Sequence, residues 1–169
     1  MSNLFPDEEA RSAYEIDYES LYGQGYRGII YDIDNTLVYP DAPADDASVS
    51  FIQKLKEMGF KVTVVSNNGK SRVKTFADAI GAQYVCKALK PRAMGYRKAM
   101  EIMGTDPGTT VCIGDQLFTD IWGARRLGIH AVLTQPFTLK EEIQIRCKRL
   151  LEKPVLARYR RLQSEKERS

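Results

Sequence analysis

The chain of 169 residues has little histidine, little cysteine and no long hydrophobic run. Because His130 is its single histidine, a histidine-rich zinc site and a Ser-His-Asp site are both disfavoured. Cys86, Cys112 and Cys147 form no C-x-x-C pair, and their odd number favours reduced, buried thiols. No run reaches the roughly 18 apolar residues of a membrane span, and the acidic N-terminus lacks the layout of a secretion signal. We therefore expect a cytosolic protein.

The charge is unevenly distributed, although the net charge is only +3. The first 20 residues carry six acids against Arg11, whereas residues 139–169 carry ten Lys or Arg against five Glu. The basic end predicts either contact with an acidic surface or a solvated, frayed helix end, and both interpretations stand. We expect an acidic leader at 1–24, one folded domain at 25–152 and a basic tail at 153–169, with no nucleic acid as a partner.

Runs rich in Ile and Val alternate with amphipathic segments, which is typical of a parallel sheet covered by helices on both faces. Strands are predicted at 28–34, 61–67, 82–88, 109–115 and 130–136. Helices are predicted at 48–58, at 71–80, from Pro91 to about Met103, at 119–127, and from about Leu139 until Pro154 interrupts or ends the last one. The sequence thus predicts an α/β fold with a Rossmann-like, doubly wound parallel sheet, in which ligands bind beyond the carboxyl ends of the strands.

Two patterns suggest other phosphate sites and are set aside. The G-x-G-x-x-G spacing at residues 23–28 is typical of dinucleotide loops, but such a loop must follow a strand and open a helix. Here it precedes the first predicted strand and is interpreted as a turn. The C-x5-R pattern from Cys86 to Arg92 superficially matches cysteine phosphatases, but Pro91 lacks a backbone donor and the loop has no glycine.

Polar residues occur at successive strand ends. Asp32 and Asp34 leave the first predicted strand in DIDNTLV, where two acids are costly without a cation, although turn or capping aspartates give the same pattern. The later strand ends carry Ser66 with Asn67, Lys90, and Asp115 with Asp120. Each has an ordinary explanation as a cap, loop or surface residue. Together they predict one site at one edge of the sheet.

These motifs, D-x-D-x-T-L, S-N, K-P and G-D-x4-D, are together similar to the four signature motifs of the haloacid dehalogenase (HAD) superfamily. The resemblance covers about residues 28–136, with the first predicted strand at the centre of the sheet. It implies Mg²⁺-dependent phosphoryl transfer through an aspartyl-phosphate, with Asp32 as nucleophile and Asp34 as general acid and base. An aspartate at position 34 favours a phosphatase or phosphomutase, since related ATPases and phosphonatases replace it.

The resemblance also implies the remaining roles by motif position. Mg²⁺ would be held by Asp32, the backbone carbonyl of Asp34, and Asp115. Phosphoryl oxygens would be bound by Ser66, the backbone N–H of Asn67, and Lys90, which also neutralises developing charge. Thr36 and Asp120 would orient these groups without touching the substrate themselves. Oxygen ligands of this kind are those that Mg²⁺ prefers.

Only about thirty residues separate the first two motifs, which leaves room for a flap at 39–48 and one helix but not for a cap domain. We therefore expect an open site. SAYEIDYESLYGQGYRGIIYDIDNTLV and GDQLFTDIWGARRLGIHAVLTQP also resemble the YqeG-type bacterial phosphatases of subfamily IIIA, relatives of the mitochondrial phosphatidylglycerophosphate phosphatases. That resemblance implies phosphatidylglycerophosphate as substrate, with the basic tail in peripheral contact with an anionic membrane. A soluble small-molecule or phosphoprotein phosphatase, and a phosphate-binding scaffold or assembly factor with weak turnover, remain alternatives.

Overall fold

The computed structural model describes residues 3–138 and 143–167, of which 143–149, 166 and 167 are described by their backbone alone. Its strands form one parallel sheet in the order β1-β6-β5-β2-β3-β4. They are β1 (Glu8–Ala10), β2 (Gly28–Tyr31), β3 (Lys61–Val65), β4 (Gln83–Val85), β5 (Thr110–Gly114) and β6 (His130–Thr134). From β2 the chain adds strands first on one side and then, from β5, on the other. The topology therefore switches at the carboxyl ends of β2 and β5, where such folds bind ligands.

Helices cover both faces of the sheet. They are α1 (Tyr18–Gly23), α2 (Asp46–Glu57), α3 (Lys70–Ile80), α4 (Ala93–Met103), α5 (Trp122–Arg125) and α6 (Ile143–Glu167). One core cluster includes Leu21, Ile52 and Phe76 from α1, α2 and α3, and the other includes Tyr96 and Ala124 from α4 and α5. Successive residues of β2 belong to alternate clusters because strand side chains point to opposite faces.

The predicted α/β fold with a doubly wound parallel sheet is confirmed, and all five predicted strands are present in shorter form. The number of strands was wrong, because β1 pairs with β6 as a sixth. Beside β1, Asp7 accepts a hydrogen bond from the backbone of Ala131 at 2.8 Å and forms an ion pair with Arg125. A three-residue strand carries no hydrophobic alternation, and a backbone ladder at a sheet edge requires none, so no sequence pattern marked it.

The segment before residue 25 contributes to the core as well as to the sheet. Ala13, Tyr18 and Leu21 are buried. The hydroxyl of Tyr31 in β2 donates to the hydroxyl of Tyr18 at 2.6 Å. The predicted division of the chain at residues 24 and 152 stays a prediction, but the acidic segment packs on the sheet, and α6 runs through residue 152.

The third and fourth helices begin differently from the prediction. Pro91 was predicted to be the first residue of the third helix, but α4 begins at Ala93, after a cis peptide bond between Lys90 and Pro91. The fourth helix, predicted at 119–127, begins as a π-helical turn over Leu117–Ile121 that continues into α5. Both departures lie next to predicted site residues, Lys90 and Asp120.

Pro154 was predicted to interrupt or end the last helix, and this was wrong, because α6 continues through it. Glu152 and Tyr159 are buried on either side of the proline, and Val155 and Leu156 pack against the second core cluster. Tertiary packing thus offsets the hydrogen bond that proline removes. The predicted start of this helix near Leu139 lies outside the described residues.

No cap domain is inserted between β2 and β3, a stretch in which every residue is described. The chain there forms a turn after β2, a loop at 39–45 and α2. The predicted flap at 39–48 is thus shorter, because α2 begins at Asp46. The glycine pattern at 23–28 ends α1 and leads into β2, and Gly25 takes a φ of 99° that suits a turn, so this prediction is also confirmed. Within residues 3–138 and 143–167, no helix is both long enough and apolar enough to cross a membrane.

Candidate active site

A tight turn follows β2 and carries both aspartates of the first motif. The carbonyl oxygen of Ile33 accepts hydrogen bonds from the backbone N–H groups of three consecutive residues that follow. Asn35 takes a left-handed φ of 65°, which asparagine tolerates better than most residues, and its side chain accepts a hydrogen bond from the backbone of Thr138 at 3.1 Å. The turn sends Asp32 and Asp34, two residues apart, to different partners.

Lys90 lies between two buried carboxylates. Its ammonium group donates to Oδ1 of Asp32 and to Oδ1 of Asp120, each at 2.6 Å. Asp115 follows β5 and belongs to the same group, since one carboxylate oxygen from each of the three aspartates lies within 4.8 Å of the others. All four side chains are buried. Residues from three separate strand ends therefore meet at the switch point of the sheet, as the sequence predicted for a site at one edge.

Three carboxylates and one ammonium group lie close together in this buried group. Burial raises the pKa of Asp32 to about 7; Lys90 opposes this effect, and the Asp120 carboxylate adds to it. Burial alone would lower the pKa of Lys90, but the carboxylates of Asp120 and Asp32 outweigh it and raise that pKa. Lys90 is thus charged at neutral pH.

The donors of this group fit Mg²⁺. The cluster offers carboxylate oxygens, the hard ligands that this ion prefers. Asp32 and Asp115, both predicted as ligands, lie in the cluster. Asp120 was predicted to orient Lys90, and it both contacts Lys90 and lies close enough to the other two carboxylates to share an ion. Thr36 donates to Asp115 at 3.4 Å.

The loop after β3 is hydrogen-bonded to the loop at 86–92, which carries Lys90. The side chain of Asn67 accepts a hydrogen bond from the backbone N–H of Lys90 at 2.7 Å and donates to its carbonyl oxygen at 3.4 Å. Leu89 and Lys87 take left-handed φ values of 55° and 48°, which cost free energy in residues other than glycine. Asn67 was predicted to bind phosphate through its backbone, and its side chain holds the backbone of Lys90. No sequence pattern indicated this side-chain contact.

Ser66 begins the same loop and is buried. Its hydroxyl oxygen accepts a hydrogen bond from the backbone N–H of Asn68 at 3.1 Å, and its carbonyl oxygen accepts one from Ala88 at 3.0 Å. These contacts set the conformation of the loop beside Asp34. The roles of Ser66 and Asn67 in phosphate binding stay predictions.

Asp34 is bound by side chains that the sequence analysis did not single out. Its Oδ1 accepts hydrogen bonds from Arg72 and from the backbone of Asp41, each at 2.9 Å, and its Oδ2 accepts one from Asn68 at 2.6 Å. A signal for Arg72 was present, because Lys70 and Arg72 lie in the first turn of α3, where the helix dipole disfavours cations unless an anion lies nearby.

The π-helical turn after β5 positions Asp120. The second carboxylate oxygen of Asp120 accepts a hydrogen bond from the backbone of Gln116 at 3.1 Å, and the backbone N–H of Asp120 donates to the Gln116 carbonyl at 2.9 Å. The hydroxyl of Tyr96, buried in α4, donates to the carbonyl of Thr119 at 2.5 Å. Hydrogen bonds to its backbone and to its side chain therefore hold Asp120 in place where it contacts Lys90.

An aromatic pair lies beside the motif-one turn. The rings of Tyr39, in the predicted flap, and Phe137, after β6, have centroids 5.3 Å apart. Both are exposed, at 59% and 38%. Phe137 is tied to the turn because the next residue, Thr138, donates to Asn35. The pair thus presents apolar surface next to the site.

Cys86, the first residue of the C-x5-R pattern, is half-buried, and Cys112 is buried; both are free thiols. Cys112 lies in β5, and burial raises the pKa of its thiol above its usual range. The side chain of Cys147 lies outside the described residues. The loop at 86–92 presents Lys90, rather than Cys86, to Asp32 and Asp120.

Fold and site together define a HAD-type hydrolase. The family described as haloacid dehalogenase-like hydrolase matches residues 7–128, and the chain belongs to that family. The chain is 37% identical over 159 residues to a Bacillus subtilis (strain 168) protein named "Probable phosphatase YqeG", with 94% of this chain and 92% of that protein covered. The predicted resemblances to the superfamily and to the YqeG type are confirmed.

A second relative is more distant. The chain is 28% identical over 169 residues to phosphatidylglycerophosphate phosphatase 1, chloroplastic/mitochondrial, of Arabidopsis thaliana. The match covers 94% of this chain but 49% of that protein, so the chain spans about half the length of this relative.

Two solved structures share the fold. An uncharacterized protein from Listeria monocytogenes serotype 4b gives a TM-score of 0.55 at 21% identity, covering 69% of this chain and 84% of that one. A hypothetical protein from Xanthomonas campestris gives a TM-score of 0.53 at 12% identity, covering 74% and 72%.

Proposed function

We propose that the protein is a Mg²⁺-dependent phosphatase that hydrolyses a phosphomonoester through an aspartyl-phosphate on Asp32. The observation that carries the proposal is the buried group in which Lys90 joins Asp32 to Asp120, with Asp115 beside them. Carboxylate oxygens grouped in this way suit a divalent cation, and a phosphoryl-transfer site requires bound cations. Membership of the HAD-like hydrolase family and the similarity to "Probable phosphatase YqeG" support the same activity.

Asp32 is the nucleophile in this mechanism. Its carboxylate oxygen attacks phosphorus while the bond from phosphorus to the leaving oxygen breaks, and Asp34 donates a proton to that oxygen. Asp34 then accepts a proton from the water that hydrolyses the aspartyl-phosphate, which restores both carboxyl groups. Lys90 holds one oxygen of Asp32 and balances part of the negative charge that the phosphoryl group brings.

Asp32, Asp115 and the Asp34 carbonyl would hold Mg²⁺, with Asp120 orienting Lys90. When bound, Mg²⁺ would supply the positive charge that lets an anionic carboxylate approach an anionic phosphate. Ser66 and the backbone N–H of Asn67 would bind phosphoryl oxygens on the side of Asp32 that faces β3.

The direct test is phosphate release from 4-nitrophenyl phosphate in the presence of Mg²⁺. We expect EDTA to abolish release and Asp32→Asn to lower kcat on the order of a thousand-fold or more, because no other group replaces the nucleophile. Cys86→Ser is the matched control and should retain activity. Loss in Cys86→Ser with retention in Asp32→Asn would overturn the site assignment. Binding of phosphate without release from any ester would favour a scaffold instead.

We further propose a lipid phosphate, phosphatidylglycerophosphate, as the substrate of this site, with peripheral contact to an anionic membrane from the cytoplasmic side. The Arabidopsis relative that bears this substrate in its name supports the idea. So does the Tyr39–Phe137 pair, since exposed aromatic rings next to a site suit the boundary between lipid head groups and acyl chains.

Vesicles that contain phosphatidylglycerophosphate provide the test. We expect phosphate release from them, reduced by Tyr39→Ser and Phe137→Ser, while release from 4-nitrophenyl phosphate stays unchanged in both variants. Val49→Ser, which also removes an exposed apolar side chain but from α2, is the control. Activity on soluble esters without activity on vesicles would exclude the lipid and favour a soluble phosphomonoester.

A further inference from the structure

We propose that Arg72 is a positioning residue that, together with Asn68, fixes the carboxylate of Asp34 for proton transfer to the leaving group. The proposal rests on the proposed phosphatase function and adds to it a residue outside the four motifs.

The contacts of Asp34 divide between its two carboxylate oxygens. Oδ1 accepts hydrogen bonds from Nη2 of Arg72 and from the backbone N–H of Asp41, each at 2.9 Å. Oδ2 accepts one from Nδ2 of Asn68 at 2.6 Å. Donors on both oxygens determine the plane of the carboxylate as well as its position, whereas one donor would leave it free to rotate. The hydrogen bonds to Asp34 therefore fix both the position and the orientation of its carboxylate.

Arg72 is itself held in place. Its guanidinium carbon lies 5.3 Å from the ring centroid of Phe76, which is one helical turn further along α3 and buried. The side chains of Arg72 and Asp34 are each about one-fifth exposed, at 21% and 22%. A cation in the first turn of a helix opposes the helix dipole, so the Asp34 carboxylate stabilises Arg72 where it would otherwise be unfavourable. Arg72 thus links the motif-one turn to a rigid helix.

Asn68 links Asp34 to the neighbouring loop. Its backbone N–H donates to the hydroxyl of Ser66, while its side chain donates to Asp34. The same loop holds the backbone of Lys90 through Asn67. The position of Asp34 is therefore coupled to the residues that are proposed to bind the transferred phosphoryl group.

The chemistry explains why orientation matters at Asp34. As the bond between phosphorus and the leaving oxygen breaks, the developing alkoxide of an alkyl ester needs a proton, which Asp34 supplies in its proposed role as general acid. A nitrophenolate is stable enough to leave without one. The contribution of a general acid therefore depends on the leaving group, and so does the contribution of any residue that positions it. Arg72 keeps its charge throughout and transfers no proton.

Two esters of similar shape separate these cases: 4-nitrobenzyl phosphate, with an alkoxide leaving group, and 4-nitrophenyl phosphate. The ratio of their kcat/KM values is measured for wild type, Arg72→Met, Arg72→Lys and Asp34→Asn with Mg²⁺. We use kcat/KM because it reports the steps up to loss of the leaving group and not the later hydrolysis of the aspartyl-phosphate. Methionine keeps the length of the side chain and its contact with the Phe76 ring but removes the donors.

We expect Arg72→Met to lower kcat/KM for the nitrobenzyl ester about ten- to a hundred-fold and for the nitrophenyl ester only about two-fold. Asp34→Asn should also lower kcat/KM more for the nitrobenzyl ester than for the nitrophenyl ester, and by a larger factor. Adding Arg72→Met to Asp34→Asn should lower kcat/KM little further. Arg72→Lys should recover part of the loss. Lys74→Gln, which removes an exposed cation of α3 that pairs with Asp78, should leave the ratio unchanged.

An equal loss on both esters would show that Arg72 acts on the fold or on the phosphate, and would overturn the proposal. A gain on the nitrobenzyl ester would also overturn it, because Arg72 would then hold Asp34 away from the leaving group. If wild type hydrolyses neither ester, or if Asp32→Asn retains the activity, the proposed function fails first. A thermal unfolding midpoint for Arg72→Met that stays near that of wild type excludes misfolding as the cause.

Discussion

Gly114, the last residue of β5, lies directly against the side chain of Asp120. A methyl group at residue 114 would stand 2.5 Å from the Cγ of Asp120 and 2.6 Å from its Oδ2. Those distances are far shorter than any van der Waals contact allows. Glycine at this position therefore creates the space in which Asp120 approaches Lys90.

We expect Gly114→Ala to displace Asp120 from Lys90 and to lower kcat about ten- to a hundred-fold, since small displacements in a catalytic group have large effects. Stability should fall by about 1–3 kcal/mol, the usual cost of overpacking. Steady-state kinetics and urea unfolding measure both. Gly23→Ala is the control, because a methyl group there meets no atom within 4 Å. Full activity in Gly114→Ala would contradict the importance of the Asp120 contact.

Lys90→Met should destabilise the metal-free protein strongly. The change leaves Asp32 and Asp120 buried without the ammonium group that both contact. Removing one partner of a buried ion pair costs about 3–5 kcal/mol. Urea unfolding at pH 8 with EDTA measures the loss, and adding Asp32→Asn should recover part of it because one buried charge is then gone. A double variant no more stable than Lys90→Met would argue against a shared charge cluster.

Asp32→Asn should stabilise the metal-free protein, and more so as the pH rises. Burial raises the pKa of Asp32 from 3.8 to about 7 in the folded protein, so between about pH 4 and pH 7 the folded state holds a proton that the unfolded state has lost. The contribution of this group to stability is thus present at low pH and is lost as the pH rises through 7, whereas asparagine does not titrate.

Thermal unfolding midpoints of wild type and Asp32→Asn in EDTA, from pH 5 to pH 8, test this expectation. The difference should be small at pH 5 and should grow toward pH 8. Mg²⁺ should stabilise wild type more at pH 8 than at pH 5, since it binds the ionised carboxylates. A difference that does not depend on pH would contradict the assignment of a raised pKa to Asp32.

Asn67→Ala should release the loop that carries Lys90. The side-chain amide of Asn67 hydrogen-bonds to both the N–H and the carbonyl oxygen of Lys90, and two residues of that loop have left-handed conformations. We expect a loss of about 1–2 kcal/mol in stability from the missing hydrogen bonds and a fall in kcat of about ten-fold or more. Gln83→Ala, an exposed residue of β4, should change neither quantity. Unchanged kinetics in Asn67→Ala would mean that the loop holds Lys90 without this amide.

The fold followed from the sequence because long, periodic segments predict their own elements. The runs at 28–34, 61–67 and 109–115 are apolar and bounded by glycine or polar residues, and they form the centre of the sheet. β1 was missed because an edge strand of three residues needs only backbone pairing. The continuity of α6 through Pro154 was missed because it depends on contacts with distant parts of the chain, which local propensity does not report.

The candidate site was predictable where motif position and strand order act together. Asp32, Lys90, Asp115 and Asp120 meet because the carboxyl ends of parallel strands share one edge. The contacts made by the side chains of Asn67, Asn68 and Arg72 depend on loop conformation, which no periodic pattern encodes. Only the cation in the first turn of α3 gave a physical hint of a nearby anion.

The pairing of β1 with β6 has a consequence for synthesis on the ribosome. The partner of residues 8–10, at 132–134, is made more than a hundred residues after them. During that time the strands β2, β3, β4 and β5 can associate, because β3 and β5 both pair with β2 and β4 pairs with β3. The acidic strand β1 therefore has no pairing partner until β6 has been made, and only then can it join the edge of the sheet. Contacts so distant in sequence form late in folding, so the charges of this segment also keep it soluble while it lacks a partner.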